Sequence, residues 1–543
     1  MTGPDRAIDF SMQPARGAGR AAPGSGRPGW AVRLFEPVSI VLLVYMRLIF
    51  GALMLVEVTR YFKNDWIHAL FTEPSFHFSY YGFAWLRPWP GPGMHLHFAA
   101  LGLLAVCILF GYRYRAAAAL FFLGFTYVFL LEEALYLNHF YLLSLISFLM
   151  LMVPAHRAFS VDAWRRPSIR SPVAPAWALF LLRFQVGVPY FFGGIAKLNA
   201  DWLHGEPMRM WLAKRTDFWL VGHLFTREEA VYFFTYGGLL LDLLIVPALL
   251  WQRTRLLAIL AMATFHVMNS MLFNIGIFPW FMLGATLIFF PADTWARWGR
   301  RWLGIPTPSE TNDSSGETTT TPASPMSACP STGVWTWPPA RWGRLWHQQC
   351  AITAFVGLWV LVQVLMPFRH FLYPGVVHWT EEGHRFSWHM KLRAKQGRLF
   401  MYACDPHSQA CWEVDPLRYV TVWQLRKAAE IPDMVLQLAH HVAAELREQG
   451  YPDIEIYVDA WVSLNGREPQ LLIDPNVNLA SKKRSLRPAD WILPLKDTPP
   501  GRWPAWPERP PQEPQEEEPV GSVLSPPPVP RVSCELGRPP IFA

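Results

Sequence analysis

The amino-acid sequence predicts a mainly α-helical membrane protein of about nine transmembrane helices, followed by an extracytoplasmic α+β domain with β-hairpins. Three observations predict this fold class. Of the 543 residues, 52% are hydrophobic and only 16% are charged, whereas about 25% are charged in an average soluble domain. Nine apolar segments have a helix-spanning length. After the last of them, the pattern changes to one typical of soluble strands and helices.

The apolar segments define the order of the domains. They lie at residues 37–58, 95–112, 115–133, 139–154, 175–196, 231–251, 255–271, 273–291 and 350–367. The sequence therefore predicts a disordered cytoplasmic tail (1–34), a helical membrane domain carrying the active site (35–304), a flexible cytoplasmic linker (305–345), a final transmembrane helix (346–368), an extracytoplasmic α+β domain (369–498) and a disordered Pro-rich tail (499–543).

Arginine is concentrated in alternate connections between the apolar segments. These are Arg16, Arg20, Arg27, Arg33, Arg113, Arg115, Arg157, Arg165, Arg166, Arg170, Arg253, Arg255, Arg297, Arg300, Arg301, Arg341 and Arg344. The positive-inside rule makes their side cytoplasmic and sends the C-terminal domain outward. The richness in Arg, Pro and Ala favours a bacterial inner membrane over the endoplasmic reticulum. The net charge of +7 follows no nucleic-acid-binding pattern, so we expect no nucleic acid partner.

The outer region has its own local signals. Alternating apolar and polar residues in "HRFSWHMKLR" (384–393) and "RLFMYA" (398–403) predict half-buried strands. Apolar spacing of three and four predicts a helix from Pro432 to Gly450, and Asn465-Gly466 predicts a type I′ hairpin turn. Cys404 and Cys411 flank "DPHSQA" between two strand-like runs. We expect a disulfide there, with two free thiols as the alternative.

Three groups of polar residues fall at membrane depth, where such side chains are functional-site hypotheses. They are Lys197 after the fifth segment, Asn138 with His139 before the fourth, and His266 with Asn269 in the seventh. The predicted topology brings all three to the outer side. Each group also has a structural reading, because a lysine can snorkel to the headgroups and His or Asn can link helices. The sequence has no H-E-x-x-H and no C-x-x-C pattern, so we expect no metal.

Long motifs around these residues resemble the vitamin K-dependent gamma-glutamyl carboxylases. The similarity spans roughly residues 35–495 and is carried by "FGGIAKLNADWLHGEPM", "LNHFYL", "FHVMNSMLFNIG", "WTEEGHRFSW" and "YVDAWVSLNGREPQLLIDPNVNL". The resemblance implies an enzyme that oxygenates a reduced naphthoquinone (phylloquinol or menaquinol) with O₂ to its epoxide. The strong base so generated promotes CO₂ addition to glutamate side chains of a protein or peptide substrate. The lipid bilayer and the membrane quinone pool are the other implied partners.

The resemblance also implies roles for individual residues. Lys197 is the base that deprotonates the hydroquinone. His139 and Asn138 serve carboxylation, His266 and Asn269 line the quinone site, and Trp379 and His384 bind the glutamyl substrate. Two departures from the family pattern are Ala196, where a second lysine is frequent, and His384, where a tyrosine lies in a nearby register.

Elementary chemistry agrees with the implied role of Lys197. Burial in an apolar pocket disfavours the charged form of an amine, so we expect Lys197 to be an uncharged base. Two other functions stay open at this point. One is a quinol epoxidase without productive carboxylation, which the departure at His384 allows. The other is a non-enzymatic quinone-binding or transport protein, although matching Gly/Pro-broken helices are not evident in two halves of the chain.

Overall fold

The computed structural model describes residues 30–291 and 342–500, except Leu220, Asn274 and Asp497. Most of the N-terminal tail, most of the linker and nearly all of the C-terminal tail that we predicted therefore lie outside the described residues. Several arginines on which the predicted topology depends also lie outside them. These are Arg16, Arg20, Arg27, Arg297, Arg300, Arg301 and Arg341.

A helical bundle forms the first part of the described chain. Its helices are α1 (Val41–Lys63), α2 (Gly93–Phe110), α3 (Tyr114–Leu131), α4 (Asn138–Met152), α5 (Ala176–Ala196), α6 (Glu228–Leu250), α7 (Arg255–Leu272), α8 (Phe278–Thr286) and, after the gap in the description, α9 (Trp342–Leu365). Shorter helices are Trp30–Arg33, Val161–Arg165, Ala200–Leu203, Met208–Ala213, Val377–Thr380 and Val422–Ala428.

Among the described residues, seven helices are long and apolar enough to cross a membrane, so the predicted count of nine is not confirmed. The two other apolar helices are short: α4 has 15 residues, and α8 continues only as a 3₁₀ turn to Phe289. At 1.5 Å per residue, α4 is about 22 Å long, whereas the hydrocarbon core is about 30 Å thick. The helix α8 begins at Phe278, later than the start of the predicted segment 273–291, because Pro279 favours a position in the first turn of a helix.

Specific contacts hold the bundle together. The strands β1 (Pro37–Ser39) and β2 (Val173–Pro175) pair antiparallel and bring the start of α1 beside the start of α5. Gln185, fully buried in α5, accepts a hydrogen bond from the Trp359 indole of α9 at 3.0 Å. Its amide also donates to Gln363 at 3.3 Å. The last membrane helix is therefore anchored to the bundle by buried polar bonds.

The C-terminal part is a four-stranded antiparallel sheet covered by one long helix. Its strands are β3 (Lys395–Asp405), β4 (Ala410–Val414), β5 (Glu455–Leu464) and β6 (Gln470–Leu471), in the order β4-β3-β5-β6. The helix α10 (Pro432–Glu448) buries its apolar face against β5. Asn465 and Gly466 have φ of 52° and 77°, and Arg467 N–H donates to Leu464 C=O. The predicted helix and type I′ turn are confirmed.

The predicted disulfide is also confirmed. Cys404 and Cys411 are bonded and stand directly opposite each other in the β3–β4 hairpin. Their Cα atoms are 4.1 Å apart, close to the separation of a non-hydrogen-bonded cross-strand pair. The bridge therefore pins the end of this hairpin.

One strand prediction is wrong. Residues 384–393 form an irregular loop, and only the second predicted run, inside β3, is a strand. Phe386, Trp388 and Lys391 in this loop have left-handed backbone angles, where a strand cannot continue, and so do Glu381 and Gly383 just before it. Its alternate apolar side chains pack on the helical bundle instead of on a sheet face, since Trp388 belongs to the apolar core of the bundle. We call residues 378–391 the junction loop.

Charged residues fasten the C-terminal domain (residues 369–498), which we call the outer domain after its predicted side of the membrane, to the bundle. Glu133, in the turn between α3 and α4, pairs with Arg385 of the junction loop at 2.9 Å and with Arg484 at 3.0 Å. Arg484 also binds Asp433 at the start of α10, at 2.6 Å. The outer domain and the bundle therefore form one packed unit at this end of the helices.

Candidate active site

Lys197 lies where α5 stops and the chain turns. The backbone of Asn199 is extended, and its side chain accepts a hydrogen bond from Trp202 N–H, which caps the next short helix. The Trp202 indole donates to the carbonyl of Thr235 in α6 at 3.1 Å. Its ring centroid lies 5.2 Å from Lys197 Nζ. The segment therefore holds Lys197 between an aromatic ring and α6.

The amine of Lys197 has a carboxylate partner that the sequence analysis missed. Lys197 Nζ lies 2.5 Å from Asp242 Oδ2 of α6, and both residues are buried. A Cβ on Gly194 would lie 2.7 Å from Leu243 Cδ2, so glycine permits the close approach of α5 and α6 here. The signal was present in "LLLDLLIV", where Asp242 interrupts an otherwise apolar segment.

This pair gives the buried Lys197 amine a carboxylate as its direct hydrogen-bond partner. The amine also donates to Gly193 C=O at 3.4 Å. Lys197 Nζ therefore has two hydrogen-bond partners, a backbone carbonyl of α5 and the Asp242 carboxylate of α6.

His139 and His266 approach each other around one aromatic ring. Their ring centroids lie 5.6 Å and 6.2 Å from that of Phe278 in α8. His266 is buried, and its Nε2 is 2.7 Å from the Tyr190 hydroxyl of α5. The other nitrogen, Nδ1, is buried without a hydrogen-bond partner. Asn269 follows one turn later on α7 and is half-buried.

Asn138 connects this region to the junction loop. Its amide donates to the backbone carbonyl of His389 at 3.1 Å. Its oxygen accepts from the Tyr136 hydroxyl at 3.1 Å, and that hydroxyl in turn accepts from Phe386 N–H at 2.7 Å. Asn138 therefore fixes the loop directly beside His139.

The junction loop also reaches Lys197. A Cβ on Gly193 would lie 3.1 Å from Met390 Cε and 3.4 Å from Asp242 Oδ2. The loop thus covers the end of α5 as well as the start of α4. The loop therefore contacts Asn138 and the turn before Lys197, while the Phe278 ring links the third group, His266, to His139.

Trp379 and His384 have different surroundings. Trp379 is almost fully buried in the core of the outer domain, and its indole donates to Leu493 C=O at 2.7 Å. His384 is buried beside His378 and His389, and its Nε2 lies 2.6 Å from Arg393 Nη1. Packing accounts for the contacts of Trp379, whereas His384 belongs to a polar cluster.

Cations surround a single carboxylate in this cluster. Glu381 pairs with Arg393 at 2.7 Å and with Lys395 at 3.3 Å. Burial lowers the pKa of the Lys395 ammonium to about 8, because a charged amine loses its hydration inside the protein. Lys395 Nζ also donates to Trp379 C=O at 2.6 Å. Arg393 and Lys395, just after the junction loop, therefore place several hydrogen-bond donors beside this cluster.

A second interaction ties the Lys197 segment to the outer domain. Asp201 accepts hydrogen bonds from both terminal nitrogens of Arg467 and from the Asn465 amide, each at 2.7 Å. Burial alone would raise the pKa of Asp201, but the bonds from Arg467 and Asn465 hold its pKa below the ordinary value. We call these three residues the Asp201 clamp.

Comparison with known proteins agrees with this division of the chain. Residues 35–295 match the HTTM domain model. Residues 348–498 match the lumenal domain of vitamin K-dependent gamma-carboxylase. No solved structure gives a significant match. The two matched regions are the helical bundle and the outer domain, with the polar residues at their junction. The chain belongs to the vitamin K-dependent gamma-carboxylase family.

Proposed function

We propose that this protein is an integral membrane gamma-glutamyl carboxylase that couples oxygenation of a reduced naphthoquinone to its epoxide with CO₂ addition to protein glutamate side chains. The observation that carries the proposal is the buried Lys197–Asp242 pair, which lies under the junction loop. Burial of an amine and a carboxylate in an apolar bundle costs free energy, and such residues therefore mark functional sites.

Lys197 and Asp242 together act as the base that takes the proton of a hydroquinone hydroxyl. The pair makes few other hydrogen bonds, so few bonds have to rearrange when it takes up a proton. A positioned base contributes typically about 10²–10⁴-fold to a rate. When bound, the hydroquinone supplies through its oxygenation the driving force for removing the glutamate γ-proton, which no side chain is basic enough to remove.

Two buried polar atoms of the bundle are available to bind the oxygens of a quinol. His266 Nδ1 and Thr235 Oγ1 are buried side-chain atoms without hydrogen-bond partners. A buried polar atom without a partner is costly, and a quinol oxygen or hydroxyl would satisfy one. His266 would orient the quinol, with its ring held by the Tyr190 hydroxyl.

The second half-reaction belongs at the junction of the two domains. Asn138 binds the junction loop, and His139 is its neighbour at the start of α4. A glutamate side chain entering from the outer domain would meet this end of the bundle. The loop residues Phe386 and Trp388 pack on Tyr141, each ring at 4.9 Å, and so help to exclude water from a base-generating site.

The direct experiment measures both products in one reaction. Purified protein receives reduced naphthoquinone, O₂, labelled bicarbonate and a glutamate-containing peptide. We expect epoxide and label in the peptide, with both products absent in Lys197→Ala. Epoxide without label supports the epoxidase alternative, and neither product from folded wild-type protein would refute the proposal.

A further inference from the structure

Three buried histidines of the junction loop, His378, His384 and His389, meet although other residues separate them in the sequence. One ring nitrogen from each of His378, His384 and His389 lies within 4.8 Å of those from the other two. Their residues are only 6%, 6% and 5% exposed. The left-handed turns at Glu381 and Phe386 fold the loop back on itself, which is why their spacing in the sequence gave no recognisable motif.

Three of the six ring nitrogens in this cluster lack partners. His378 Nδ1 and both nitrogens of His389 are buried without a hydrogen bond. An imidazole nitrogen buried in this way loses its hydrogen bonds to water without gaining one inside the protein, which costs free energy. Three such nitrogens in one cluster indicate that a ligand with several coordination positions completes it.

We propose that His378, His384 and His389 bind a Zn²⁺ ion at the junction of the two domains. Three histidines with an open fourth position are a known Zn²⁺ ligand set, with Zn–N distances of about 2.0–2.1 Å. In a tetrahedral site the ligand nitrogens are about 3.3 Å apart. The present separations are within 4.8 Å, so binding of the ion requires the three rings to rotate toward one another.

His384 has a carboxylate near its second ring nitrogen. Its Nδ1 lies 3.6 Å from Glu381 Oε2, beyond hydrogen-bond distance, and a carboxylate that accepts this N–H is the usual support of a metal-bound histidine. Its Nε2 accepts from Arg393 Nη1. A metal bound at Nε2 would displace this contact, while Arg393 Nη2 keeps its bond to Glu381 at 2.7 Å.

The charges nearby determine what the fourth ligand must be. Two carboxylates lie beside Arg393 and Lys395: Glu381, which pairs with both, and the half-buried Glu430. A divalent ion added to these two cations and two carboxylates leaves a positive excess. The open position therefore takes an anionic oxygen ligand, such as hydroxide or a carboxylate. This inference concerns metal binding alone and does not depend on the proposed reaction.

Titration of the full-length protein with Co²⁺ after removal of bound metal tests the site. We expect one equivalent to bind with the visible absorption of tetrahedral Co²⁺, and Zn²⁺ to abolish that absorption. His378→Asn and His389→Asn should each weaken binding by at least about 100-fold. Arg393→Met should bind at least as tightly as wild type, because a competing cation is gone. His407→Asn is the matched control, since His407 is exposed and pairs with Asp453.

Folding of the variants is checked separately, so that failure to fold is not mistaken for loss of the site. Wild-type protein should gain thermal stability from Zn²⁺ but not from Mg²⁺, as expected for a ligand that binds only the folded state. Folded, tag-free wild type that binds no stoichiometric Co²⁺ would overturn the proposal. Equal Co²⁺ affinities of wild type and a folded His389→Asn variant would overturn it as well.

Discussion

Lys197 and Asp201 lie four residues apart in the same segment, yet they are held in opposite ways. Lys197 has one charged partner, Asp242, and a long contact to a backbone carbonyl. Asp201 receives three hydrogen bonds of 2.7 Å from Arg467 and Asn465. The first pair lies within the bundle, whereas the second joins the bundle to the outer domain.

The difference indicates separate tasks for the two ends of this segment. A group with several fixed partners holds geometry, because each bond must break before it moves. A group with one partner can exchange a proton at a small cost in reorganisation. We therefore expect substitutions at Lys197 to affect turnover and substitutions at Asp201 to affect stability.

The largest effect is expected for Lys197→Ala. Loss of the base should remove both epoxide and carboxylated peptide, a decrease of about 10²–10⁴-fold. Product formation and the monodispersity of the protein in detergent are measured together. Lys63→Ala is the control, because Lys63 is an exposed lysine at the end of α1. Equal losses in both variants would contradict a special role for Lys197.

Asp242→Asn should have the next largest effect. A hydrogen bond to a charged group contributes about 1.5–3 kcal/mol, so loss of the carboxylate should lower the rate of epoxide formation by about 10–100-fold. Glu229→Gln, an exposed position on the same helix, should leave that rate unchanged. A wild-type rate in folded Asp242→Asn would show that Lys197 acts without its partner.

His139→Ala should change the ratio of the two products. The side chain lies next to Asn138 at the domain junction, whereas Lys197 and Asp242 remain intact. We expect epoxide formation to persist while label incorporation falls, so the ratio of epoxide to carboxylated product rises several-fold. His68→Ala, an exposed histidine, serves as the control. A parallel fall of both products would mean that His139 only packs helices together.

The smallest effect on chemistry is expected for the Asp201 clamp. Asp201→Asn should lower the free energy of unfolding by about 2–3 kcal/mol, with an unchanged product ratio. Because the folded pKa of Asp201 is depressed, its contribution is present above the unfolded pKa of about 3.9 and is lost as pH falls through the folded value. Thermal unfolding at several pH values measures this. Asp217→Asn, at an exposed carboxylate, should have little effect.

The sequence predicted well those features that depend on local pattern. The apolar runs located the long helices, the Asn465-Gly466 pair located a turn, and the spacing of Cys404 and Cys411 located the disulfide. The motif around Lys197 singled out the segment in which Lys197 meets Asp242, and the role of that segment stays a prediction. Each of these depends on residues that are close together in the chain.

Features that depend on distant contacts could not be predicted in this way. Alternation in residues 384–393 suggested a strand, but the bundle presented a second apolar surface, and packing on it produced the junction loop. Asp242 was missed because its pairing with Lys197 depends on the close approach of α5 to α6 at Gly194. The meeting of His378, His384 and His389 likewise requires the fold of the loop.

Rescue of Lys197→Ala by small amines tests the central claim most directly. If Lys197 supplies the base, a diffusing amine should occupy the vacated space and restore epoxide formation in a saturable way, with rates that rise with the basicity of amines of equal size. The variant without amine should form almost no epoxide. Epoxide formation near the wild-type rate in folded Lys197→Ala, without any added amine, would contradict the account.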